Sequence, residues 1–171
     1  MSDKDESDTA KLLRGVVAGA IAGAVASFAM DRFQAAVSAL TASGDDDDGQ
    51  QVEPATEKAA DAIAWQIVGR AVAAADKPLA GQAIHYALGI GLGIAYGVAA
   101  EFRPAVTAGY GTGFGLVTAT ILDEGAVPAV GLGSAPWNTD LSTNLYSYAS
   151  HLVFGSASEL VRRQVAATLR G

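Results

Sequence analysis

Eight ionisable side chains interrupt stretches that are otherwise apolar: Asp31, Arg32, His85, Glu101, Asp123, Glu124, His151 and Glu159. In hydrocarbon such groups are costly, so each is a candidate for function. The candidate polar cluster is His85, Asp123, Glu124, His151 and Glu159. Imidazole changes charge near neutrality, and neighbouring carboxylates supply the partners a proton relay needs. Helical spacing stacks Ser147, His151, Gly155 and Glu159 on one stripe, four residues apart. A purely structural role is the alternative. Asp31–Arg32 and Glu101 with Arg103 then mark span boundaries, with the arginines reaching toward headgroups. Asp123 and Glu124 then cap a loop, and the histidines are hydrogen-bonded interior residues. Two histidines and a carboxylate could ligate a metal. Here they lie far apart in sequence without HExxH-type spacing, so neither metal nor cofactor is expected. There is no P-loop, no GxGxxG between a strand and a helix, and no GxSxG, and no enzymatic activity is expected.

The elements that must hold these groups are marked by glycine. Gly15, Gly19 and Gly23 recur every fourth residue in the first apolar stretch, and Gly89, Gly93 and Gly97 in the second. The third carries Gly109 and Gly113 with an offset pair, Gly111 and Gly115, and the fourth carries Gly155. Glycine costs roughly 1 kcal/mol against alanine in a water-exposed helix. In a bilayer, small residues four apart let helix backbones approach closely. The pattern predicts an all-α, polytopic membrane protein: a four-helix transmembrane bundle with Gly-xxx-Gly packing, spans at about 12–36, 79–101, 105–122 and 141–161, and an amphipathic helix at 54–76. That helix reads either as interfacial or as packed on the mouth of the bundle. Span four is the weakest, diluted by serines, and makes sense with its polar face inside a bundle. The connection at Arg103-Pro104 is so short that spans two and three should form an antiparallel hairpin. A signal peptide is the competing reading of span one, with Ala24-Val25-Ala26 as its cleavage site. The renewed apolar pattern after Arg32 argues against it.

A repeat is visible between the two halves. Gly19, Gly23 and Asp31 have the spacing of Gly111, Gly115 and Asp123, and His85 precedes Gly89 as His151 precedes Gly155. Two halves inserted in the same sense would give a pseudo-twofold along the membrane normal. Coincidence in a Gly/Ala-rich chain is the alternative.

Composition agrees with a membrane home. The 171 residues are 50% hydrophobic and only 17% charged, with mean hydropathy +0.27. The net charge of −7 is concentrated in the 1–11 tail, read as disordered, and in the Asp45–Asp48 run. An acidic chain without a basic cluster argues against nucleic acid. No cysteine is present, which excludes disulfides and thiolate metal sites. Lys and Arg gather beside the termini and in the short loop, which predicts both termini, including the 164–171 tail, on the cytoplasmic side.

The stretches from His85 to Gly97, from Asp123 to Pro128, and from Ala149 to Gly155 followed by Glu159 and Arg162-Arg163 resemble the YagU-like family of small prokaryotic inner-membrane proteins. So does the Gly-rich opening span that ends in Met30-Asp31. The resemblance implies an integral membrane protein of uncharacterised activity, with a suggested link to acid-stress survival, and supplies no catalytic residues. The combined expectation is a non-enzymatic inner-membrane protein, envelope- or acid-stress related through its His/carboxylate cluster. The rivals are a small proton or ion channel or transporter, and a structural or partner-binding subunit. Its partners would be the lipid bilayer and a second copy or another membrane protein.

Overall fold

The computed structural model describes residues 7–41 and 53–171. The Asp45–Asp48 run and most of the acidic tail lie outside them. Among the described residues the architecture is built from α1 (Asp8–Thr41), α2 (Ala55–Val68) at the mouth, α3 (Lys77–Phe102), the shorter α4 (Thr112–Ile121) and, after a one-turn α5 (Val127–Ala129), α6 (Leu141–Arg170). No strand occurs among the described residues. α1 and the stretch Ala74–Phe102 are each long and apolar enough to cross a membrane.

The glycine spacing becomes contact between backbones. A Cβ on Gly19 or Gly23 would collide with the carbonyl oxygen of Gly93 or Gly89 respectively, and one on Gly15 would sit 2.7 Å from the Cα of Val98. α1 and α3 are therefore antiparallel and almost touching. The same holds between α4 and α6, where Gly111 faces the carbonyl of Gly155 and Gly115 that of His151. α1 is also antiparallel to α6, with Phe33 stacked on Tyr146 at 6.4 Å.

The packed interior is small and polar while the outside is large and apolar. Ala18, Ala22, Ala26, Ser27, Ser150 and Ser158 have no exposed surface. Leu13, Val17, Ile21, Val25 and Phe28 form an exposed stripe along α1. α2 follows the same inversion. It lays Glu57 against Gly81 of α3 and buries Ala60, while Ile63, Trp65, Ile67 and Val68 are exposed. The helix packs on α3, presents an apolar face outward, and ends at Val68, short of the expected 76, where Gly69 takes a φ of 71°.

The third apolar stretch departs from the expected single helix over 105–122. Pro104 opens a 3-10 turn over Pro104–Thr107, and Gly109, Tyr110 and Gly111 then take φ of 71°, 54° and 83°. That left-handed run breaks the helix, so the hairpin connection is a structured turn and α4 begins only at Thr112. Gly109 is consequently a turn residue, its added Cβ meeting only Thr112, and Gly113 would make only ordinary contact with Ala108. Interhelical packing here falls to the offset pair Gly111 and Gly115. After Ile121 the chain does not stop. It widens into a π-helical turn, Leu122–Ala126, and continues through α5. α6 runs past the expected end of span four at 161, carrying the expected 164–171 tail as helix to Arg170, because Ala166 is still buried against the bundle.

Candidate functional site

Each histidine is met by an aspartate from the facing helix. His85 lies on the third turn of α3, one turn before Gly89, and Asp31 lies two turns beyond Gly23 on α1. Because Gly23 abuts Gly89, the two side chains arrive together, with Nε2 of His85 3.2 Å from Oδ1 of Asp31. Gln82 donates to the other Asp31 oxygen at 2.7 Å. The buried Nε2 has no aligned hydrogen-bond partner among the described residues.

The second pair repeats the arrangement with a shift. His151 Nδ1 lies 3.5 Å from Oδ2 of Asp123 and 3.1 Å from the Ser147 carbonyl. The Ser147 hydroxyl donates to the same Asp123 oxygen at 2.5 Å. Gly23 faces Gly89, but its counterpart Gly115 faces His151, one turn away from the counterpart of Gly89. α4 is thus slid by one turn along α6. The π-helical turn carries Asp123 at this point and presents it to α6, and such turns are frequent at functional sites.

Both pairs line one cavity of about 550 Å³. Its polar wall holds Asp31, His85, Asp123 and His151, joined by Glu57 from the first turn of α2. Met30, Leu88, Leu92 and Phe154 form its apolar wall. No Lys or Arg lines it among the described residues. Among those residues, no three His, Asp or Glu side chains converge closely enough to hold a metal ion.

Glu159 and Glu124 do not join this group. Glu159 sits two turns further along α6 in a second polar cluster at the opposite end of the bundle. It accepts from Arg162 Nε and Nη2, both at 2.8 Å, and from the Tyr96 hydroxyl at 2.8 Å. Beside it Glu101, whose side chain is 2% exposed, takes Nε of Arg14 at 2.9 Å and lies within ion-pair reach of Arg162 and Arg170. Glu124 is half-buried on the π-helical turn but does not line the cavity. An aromatic layer separates the two clusters, with Tyr96 stacked on Phe114 at 4.2 Å and Phe114 against Phe154 at 5.9 Å. Sequence reasoning left Asp31 out of the candidate cluster, reading it as a boundary residue. The signal that finds it is the repeat, which gives Asp31 the position of Asp123.

No curated protein and no solved structure matches this chain. Residues 62–160 match the model of a family described as protein of unknown function, DUF1440. The matched region holds His85, Asp123, Glu124, His151 and Glu159, whereas Asp31 precedes it. With more than half its length inside that model, the chain belongs to the DUF1440 family, in which the YagU-like membrane proteins of unknown function are placed.

Proposed function

We propose that this is a four-span inner-membrane protein that passes protons or small cations through the interior of its bundle in a gated manner, and so serves tolerance of acid or envelope stress. The observation that carries the reading is the pair of His–Asp sites facing one cavity. Histidine is the side chain whose ordinary titration falls between pH 5 and 8. Protonation of both imidazoles would add two positive charges beside Asp31, Asp123 and Glu57. Protonation there would change the field of the cavity and its occupancy.

The distribution of side chains supports a lipid setting. Large aliphatics face outward and the closest helix contacts are made by glycine, alanine and serine, as expected where packing rather than water exclusion joins helices. The continuous helical run from Thr112 to Ala129 would be about 27 Å long at 1.5 Å per residue, close to the thickness of a hydrocarbon core. That supports a third crossing despite the short α4. The Tyr96–Phe114–Phe154 layer argues for a gated path, since it closes the interior between the cavity and the Glu159 cluster.

The test is flux in proteoliposomes under a pH gradient. Wild type should dissipate the gradient with a response between about pH 5 and 8, and His85→Ala and His151→Ala should each remove most of that flux while remaining folded by circular dichroism. A folded wild type that passes no protons or small cations anywhere in that interval would overturn the proposal.

A further inference from the structure

We infer that the cavity between the two His–Asp pairs is a binding site for a primary organic ammonium ion. The inference rests on the preceding reading only in taking the cavity as the place where a cation enters, and it names the class of cation.

Charge comes first. Asp31, Asp123 and Glu57 contribute three carboxylates to the lining, while no Lys or Arg is present among its described residues. Of the basic residues next to lining residues in sequence, Arg32 lies over the Phe28 ring, Lys77 is held by Glu53 at 2.5 Å and Asp61 at 2.6 Å, and Lys58 does not line the cavity. With its imidazoles neutral, the wall favours a cation over an anion.

Unmade hydrogen bonds come second. Nε2 of His85 is buried and, although 3.2 Å from Asp31 Oδ1, has no aligned hydrogen-bond partner among the described residues. Ser27, also among the lining residues, keeps its unpartnered Oγ in the α1–α3 contact at Gly89. Buried polar atoms left unpaired are costly. An ammonium head carries three donors and no acceptor. It suits the carboxylates, and it suits the imidazole nitrogen when that nitrogen is unprotonated.

Shape comes third. Met30, Leu88, Leu92 and Phe154 give the cavity an apolar wall that an inorganic cation would leave unused. A volume of about 550 Å³ is of the size that holds small organic ligands. Head and body of an alkylammonium thus each find a matching surface.

The experiment is calorimetric titration of the full chain in detergent near pH 7.5 with butylammonium, against butanol, butyrate and potassium as size, charge and ion comparators. Butylammonium should bind saturably and about tenfold or more tighter than any comparator, and Asp31→Asn and Asp123→Asn should each weaken it by about tenfold or more. Equal binding of the comparators, no binding, or unchanged affinity in both folded variants would overturn the inference. If the variants fail to fold, the wild-type ranking alone decides. Ammonium binding without flux would sink the transport reading and leave this one standing, whereas flux without ammonium preference would do the reverse. An ammonium group could also arrive on a lipid headgroup. In phosphatidylglycerol nanodiscs, weakening of butylammonium by added phosphatidylethanolamine assigns the site to the headgroup, and indifference to it assigns the site to a free amine. Either result keeps the ammonium assignment.

Discussion

A methyl group on Gly93 would meet backbone on both sides: the carbonyl of Gly19, and the Cα of Gly23 at 2.7 Å. Backbone cannot turn aside as a side chain can, so Gly93→Ala must push α1 and α3 apart. The expected cost is about 1–3 kcal/mol, read as an earlier midpoint in detergent or thermal unfolding followed by circular dichroism. Gly91, one position from the contact face, has nothing within 4 Å of an added Cβ. There Gly91→Ala should leave stability unchanged or raise it by up to about 1 kcal/mol. Equal effects at the two sites would show that glycine serves helix propensity here and not close approach. The first two glycine series were legible because their period of four lies on one face of a regular helix. Gly109 and Gly113 have the same period and misled, because Gly109 and Gly111 take positive φ and the helix starts only after them. Spacing alone does not tell a packing glycine from a turn glycine. Asp31 misled in the opposite direction: the adjacent Arg32 suggested a boundary pair, yet Arg32 leans over the Phe28 ring while Asp31 turns inward to His85.

At the scale of elements, α2 is held over the cavity by Lys77, which bridges Glu53 before the helix to Asp61 within it. Val72 closes the following loop by donating its N–H to Asp61 at 2.9 Å. The Lys77 hydrogen bond, and after it that of Val72, hold the Asp61 carboxyl below its ordinary value of 3.8. A carboxylate depressed by folding contributes stability that is present above its unfolded pKa and lost as pH falls through its folded one. Docking of α2 through this bridge should therefore hold from about pH 8 to 5 and weaken only below about 4. Amide hydrogen exchange over α2 reports it, and Lys77→Met should speed that exchange roughly several-fold at neutral pH. In the parent, release of α2 between pH 5 and 7 would show that Asp61 is not what holds it. Neither the bridge nor the π-helical turn at Leu122–Ala126 was legible in advance. The bridge joins residues across a loop of irregular backbone, and the turn has no periodicity that distinguishes it from the end of a span. The two long apolar helices, α1 and α3, were legible because each carries an apolar face over several turns.

For the whole molecule the deciding quantity is the number of crossings, because it fixes which side the cavity opens to. Arg14, Arg162 and Arg170 gather around Glu101 and Glu159 at one end of the bundle, and the two His–Asp pairs occupy the other. Arginine concentrates on the cytoplasmic side of membrane proteins, so the proposed membrane setting would place the cavity toward the outside and would call for an even number of crossings. The chain contains no cysteine, so single-cysteine variants report without background. On intact cells, a membrane-impermeant maleimide should label Val130→Cys, in the exposed turn after α5, and should reach Ser7→Cys and Gly171→Cys only after lysis. Labelling of one terminus but not the other would mean three crossings. In that case the run from Thr112 to Ala129 would enter and leave on the same side, and Val130 would share the labelling of the N-terminus and differ from the C-terminus across α6. The His151–Asp123 pair would then sit on a re-entrant segment while His85–Asp31 stayed on a full span. The pseudo-twofold written in the glycine spacing would then describe ancestry and no longer the arrangement in the membrane.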